Sequence, residues 1–137
     1  MELLEQISIV NWWAIFTATA LAFVLGGLWY GPLFGSAWLD AIGKTEADLP
    51  PSATPFVVSF FAALLTALVL AVLLSALGMS GGIDGAIMGL WVGIGFIAAA
   101  MASDASFCRW GLKLFLIQSG YRVVYSVLMG GILGYWQ

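Results

Sequence analysis

Four long apolar runs, at about 8–30, 55–78, 83–103 and 113–136, leave this chain few ways to fold. Each holds roughly 20–24 residues, and a helix of that length, at ~1.5 Å per residue, spans the ~30 Å hydrocarbon core of a bilayer. Of the 137 residues, 63% are hydrophobic and 8% are charged, where soluble domains carry about 25% charged residues. Nothing outside the runs is long enough to form a separate soluble domain. The expected fold is therefore all-α. Four transmembrane helices, joined by short loops into a four-helix bundle, make one integral membrane domain over 1–137. The expected location is the membrane, as a multi-pass protein of the bacterial inner membrane.

The few polar residues exclude several functions. There is no histidine and one cysteine, Cys108, so neither an internal disulfide nor a cysteine/histidine metal cage can form. Four Lys and Arg in a chain of net charge −3 cannot lay down a surface that tracks nucleic-acid phosphates. Glu2 and Glu5 precede the first run, and the first basic residue is Lys44. A signal peptide needs a basic start, so the first helix is expected to stay in the mature protein. No nucleophile triad, phosphate loop or metal-ligand cluster occurs, and a lone Cys108 beside Arg109 lacks a base. No catalytic residue, cofactor or metal is expected.

Read in order, the first run carries Asn11-Trp12-Trp13 at one end and Trp29-Tyr30 at the other, as interfacial aromatic belts do. Pro32, with no N–H to donate, should end that helix. In the following loop, Phe34, Ala37, Trp38, Ala41 and Ile42 recur at helical spacing with Asp40 and Lys44 opposite. That pattern predicts a short interfacial helix on the membrane surface, stopped by Gly43. Asp84 suits the positive end of the third helix, and 104–112 reads as the loop into the fourth. Basic residues bias loops toward the cytoplasm. Lys44, Arg109 and Lys113 flank two loops, while the ends of the chain and the 78–82 turn have none. Both termini are expected outside.

Small residues repeat every fourth position in all four runs. Ala14, Ala18, Ala22 and Gly26 form one row, and Ser59, Ala63, Ala67, Ala71 and Ser75 a second. Gly81, Gly85, Gly89 and Gly93 form a third, and Ser126, Gly130 and Gly134 a fourth. Such rows let helix backbones approach closely where lipid supplies no hydrophobic drive. The glycine row of the third run invites another helix, and a homo-oligomer is expected from it.

Extending the fourth row backwards gives Arg122 and then Gln118. An arginine at membrane depth costs roughly 2.5–3.5 kcal/mol even on lenient scales, and is rarely left facing lipid. All seven carboxylates (Glu2, Glu5, Asp40, Glu46, Asp48, Asp84 and Asp104) fall in loops or at helix ends. Arg122 therefore has no deep acidic partner. Gln118, Tyr121, Tyr125 and Ser126 can complete a polar site around it, with hydroxyls such as Thr17, Thr19 and Thr66 as further candidates. Three roles stay open. The guanidinium can snorkel to the headgroups, bond carbonyls across helices, or hold an anion with its planar fork.

The stretch NWWAIFTATALAFVLGGLWYGPLFGSAW, with its Gly-x-x-Trp-Tyr-x-Pro-Leu-Phe-Gly core, resembles the first helix of a family of small bacterial membrane proteins known only as a domain of unknown function. LKLFLIQSGYRVVYSVLMGGILGYW resembles the family's last helix, with Gly120-Tyr121-Arg122 and Met129-Gly-Gly-Ile-Leu133 at the typical places. The resemblance implies four membrane helices and assigns no activity. Two functions are carried forward from the residues. One is a homo-oligomeric channel or transporter for a small anionic or polar solute. The other is a structural or accessory membrane subunit without transport.

Overall fold

The computed structural model describes residues 3–136, and among these every regular element is a helix. Glu2, which precedes the first apolar run, lies outside the described residues. The first apolar run is not continuous. A short helix, α1 (Leu3–Ile9), stops before Asn11, whose backbone is extended at φ −81 and ψ 98. The Asn11 side chain accepts a hydrogen bond from the Ala14 N–H at 3.2 Å, which caps α2 (Trp12–Leu28). Its amide also donates to the Trp136 carbonyl at 2.9 Å. Buried Gln6 accepts from the Ser75 hydroxyl at 2.6 Å, fixing α1 to the far end of α4 (Thr54–Ala76).

Beyond α2 the chain makes one wide turn over Trp29–Leu33, where Gly31 leaves helical geometry at φ −108 and ψ −105 just before Pro32. It then re-enters a helix, α3 (Gly35–Ile42), which Gly43 ends in the left-handed conformation at φ 70. This is the short helix that the spacing predicts. Its apolar side is turned onto the chain itself, with the Trp38 ring edge-on to Tyr30 at 5.5 Å.

After α4, Gly78 and Gly81 turn the chain into α5 (Gly82–Val92). One wide turn over Gly93–Ala98 carries it on into α6 (Ala99–Cys108). Asp104 and Cys108, read from sequence as loop, continue this helix. The reversal is compressed into Arg109, left-handed at φ 55, and the residues up to α7 (Leu112–Tyr135). Among the described residues three helices are long and apolar enough to cross a membrane: Trp12–Leu33, Thr54–Ala76 and Gly82–Cys108. With 24 residues, α7 is as long but less apolar. The reason is its position. Packed by α2, α4 and α5, it buries ten residues, whereas α6 buries none.

The glycine row of α5 is met by α7 of the same chain. The two helices run antiparallel with Gly85, Gly89 and Gly93 facing Gly130, Ser126 and Val123 in turn. A Cβ built on Gly85 would land on the Gly130 carbonyl oxygen, and one on Gly89 on that of Ser126. A Cβ on Gly134 would strike the Gly81 carbonyl, and the Gly81 N–H donates to the Gly134 oxygen at 2.9 Å. Backbones this close leave no room for a side chain at Gly85, Gly89, Gly130 or Gly134. On the other side of α7, the core is built from Ile15, Ala18, Leu70, Leu74, Met129 and Leu133.

Candidate functional site

The end of α2, the helix α3, the start of α4 and the middle of α7 line a half-open cavity of about 570 Å³. Its position follows from local chemistry. The Gly31-Pro32 break redirects the chain, so α3 packs against that turn and against α7 instead of extending α2. Two hydrogen bonds then latch α2 to α7 at this level. Trp29 Nε1 donates to the Ile117 carbonyl at 2.9 Å, and the Tyr121 hydroxyl donates to that of Ala22 at 2.9 Å. Gly26 permits the second, because a Cβ there would lie 2.8 Å from the Tyr121 oxygen. The exposed pair Lys113–Asp40, at 2.7 Å, ties α3 to the start of α7 and is the one ion pair among the described residues. Its ammonium holds the Asp40 carboxyl below the ordinary 3.8, by hydrogen bond first and charge second.

Arg122 reaches this cavity from α7. Its guanidinium carbon lies 5.5 Å from the centre of the Tyr121 ring and 5.7 Å from that of Tyr125, within cation–π range. Nη1 is 3.4 Å from the Tyr125 hydroxyl, at the long limit for a hydrogen bond. Among the described residues no carboxylate pairs with it and no carboxylate lines the cavity. Gln118, Tyr30 and Ser59 add polar atoms, and Phe23, Pro55 and Phe56 supply apolar wall. Trp38 also lines the space, and its Nε1 is buried with no hydrogen-bond partner. Buried donors without partners are rare.

Of the residues singled out by sequence, Arg122, Gln118 and Tyr121 line the cavity, and Tyr125 stands behind the guanidinium. Ser126 belongs to the seam with α5, and its hydroxyl donates to the Arg122 carbonyl at 2.8 Å. Thr19 and Thr66 bond the carbonyls of their own helices, Ile15 and Ala62. The packing glycines Gly81, Gly85, Gly89, Gly93, Gly130 and Gly134 all lie along that seam, away from the cavity. Trp38, Tyr30, Ser59 and Phe56 escaped the sequence reading. The signal for Trp38 was the apolar face of its short helix, which sequence turned toward lipid headgroups. Among the described residues no group of three or more acidic or cysteine side chains could hold a metal.

The arrangement offers hydrogen-bond donors and one fixed positive charge inside apolar walls, with no negative charge to balance it. Such a site receives acceptors and repels cations. A family model described as "Protein of unknown function (DUF1761)" matches residues 13–134. No curated protein and no solved structure matches the chain.

Proposed function

We propose that this chain, which belongs to the DUF1761 family, is a four-span membrane protein that binds a small anionic or polar solute at Arg122 and carries it across the bilayer as a homo-oligomer. The fourth span in this reading is α7. Its length supports this, and so does the apolar character of its outward residues Leu116, Val124 and Leu128, since its polar groups turn inward. Lys44, Arg109 and Lys113 gather at the end where α3 meets α7, which supports a cytoplasmic position for that end and outside termini. The inner membrane of a bacterium is the location that goes with it.

One observation carries the functional part: a guanidinium in a cavity, without a carboxylate. Leaving a cation unpaired away from water is costly, and intramembrane charges of this kind mark solute paths. Beyond Arg122 the single chain is solid, because Tyr125, Met129 and Leu133 are at most 2% exposed. A route across the bilayer then needs a second copy or a rearrangement, which is why an oligomer belongs to the reading. The same closed core favours the rival, an accessory subunit that holds a ligand without moving it.

Purified protein in liposomes decides between them. Nitrate and acetate flux that Arg122→Ala abolishes supports transport. Flux that is equal in the two proteins overturns the role of Arg122, and binding without flux selects the accessory reading.

A further inference from the structure

We propose that the Arg122 cavity selects a monoanion with an apolar body, a carboxylate on an aromatic or short aliphatic group, over inorganic anions and over cations. The inference rests on the anion-binding reading above and deepens it by naming the solute class.

Four features of the cavity converge on that class. Its size comes first. About 570 Å³ falls within the roughly 300–1,000 Å³ of pockets that enclose small organic molecules. A halide or nitrate beside Arg122 would leave most of it unfilled. The second feature is the wall. Phe23, Phe56 and Pro55 present rings and methylenes, and an apolar group placed against them leaves water.

The third feature is the guanidinium. Arg122 can only donate, and it spends at most one long hydrogen bond, on Tyr125. A carboxylate accepts a bidentate pair from guanidinium and keeps lone pairs for other donors. A neutral amide or alcohol would leave the positive charge unbalanced. The fourth feature is the charge count. With one cation and no carboxylate lining the space, a dianion such as a phosphate monoester would bring one negative charge too many into a low-dielectric site. An amine would face the guanidinium with nothing to offset the repulsion.

Free carboxylates and the headgroup of an anionic lipid share this chemistry, and the test has to tell them apart. Calorimetric titration of the protein in neutral maltoside detergent should show phenylacetate binding at one site per chain. It should bind at least ~10-fold tighter than acetate, the discrimination an added apolar group gives in such a pocket, with no binding of benzylamine. Arg122→Lys should weaken phenylacetate by about tenfold, the effect of one hydrogen bond to a charged group, and Arg122→Leu should abolish binding, with unchanged helical circular dichroism showing that each variant is folded.

In nanodiscs, phenylacetate binding that persists with phosphatidylglycerol assigns the site to free solutes. Binding seen only with phosphatidylcholine assigns it to the lipid headgroup. Acetate and phosphate binding as tightly as phenylacetate overturns the apolar selection while the anion reading stands. Benzylamine matching phenylacetate overturns the charge selection. If no anion binds, or Arg122→Leu leaves binding unchanged, both readings fall; if Arg122→Lys alone changes nothing, the paired hydrogen bond of the guanidinium falls while the charge selection stands.

Discussion

Two neighbouring glycines of α7 allow the α5–α7 seam to be weighed against an internal standard. Gly130→Ala and Gly131→Ala each add one methyl group, and each removes the same glycine penalty of ~1 kcal/mol in a helix. Their surroundings differ. A Cβ at Gly130 would fall on the Gly85 carbonyl oxygen and lie 3.2 Å from the Gly89 Cα. At Gly131 it would meet the Gly82 oxygen at 3.6 Å and the Ala86 Cβ at 3.7 Å, which is ordinary contact. To bring the Gly130 methyl out to the ~3.3 Å of a close carbon–oxygen approach, the helices must part by roughly 1 Å. A gap of that size forfeits about a quarter to a half of each atom pair's dispersion energy along the seam. With overpacking costs of about 1–3 kcal/mol, Gly130→Ala should be less stable than Gly131→Ala by that amount. Gly131→Ala itself should be neutral or up to ~1 kcal/mol more stable than the parent. Unfolding by dodecyl sulfate from mild micelles, followed by helical circular dichroism, measures both. Equal midpoints for the two variants would refute the close seam.

Three further outcomes follow from contacts already described. Tyr121→Phe removes the hydroxyl that bonds Ala22 and should lower stability by ~0.6 kcal/mol, the average for such bonds between membrane helices; no change in unfolding midpoint would mean the latch is not made. The Asp40 carboxyl is depressed below 3.8 by Lys113, so its contribution is fully present above that pH and is lost as pH falls through the lower folded value. Hydrogen exchange in α3 should accelerate only on acidification below about 4 and, at pH 7, in Asp40→Asn; loss beginning near neutrality would exclude this pair as the clamp. Reporter fusions after Gln137 should be active outside the cytoplasm, and activity only inside would reverse the proposed orientation.

The long helices were legible because hydropathy and length are properties of a single segment. Gly43 as a helix stop was legible for a similar reason, since its left-handed backbone needs no distant partner. What connects segments was harder to read. The glycine row of α5 announces a close neighbour without naming it; a second copy fits the spacing equally well, and α7 of the same chain fills the groove. Gly89 therefore reports on folding of the single chain. Lys113 and Asp40 meet across 73 positions, and charge spacing gives no hint of that. The extent of α6 was missed because Asp104, Ser106 and Cys108 look like loop residues, although a helix leaving a bilayer can carry polar side chains freely. The Asn11 break was missed because an apolar run hides a cap of one residue. At the site, Arg122 and Gln118 stood out as polar residues in an apolar helix. Trp38 did not, because its role depends on the Gly31-Pro32 turn that redirects the chain into α3.

The inward polarity of α7 also sets an order of assembly. A segment carrying Gln118, Arg122 and Ser126 partitions poorly into lipid by itself, with the arginine alone disfavoured by roughly 2.5–3.5 kcal/mol at the bilayer centre. The helices that shelter it all precede it in the chain. In the membrane reading, the translocon thus meets α7 when its binding surface is already in place, and the α5 groove acts as a receptor for the arriving segment. Damage to that groove would then surface during biogenesis. The telltale product would be a chain with α7 stranded outside the bilayer, exposed to proteases, before any loosening of the finished protein could be seen.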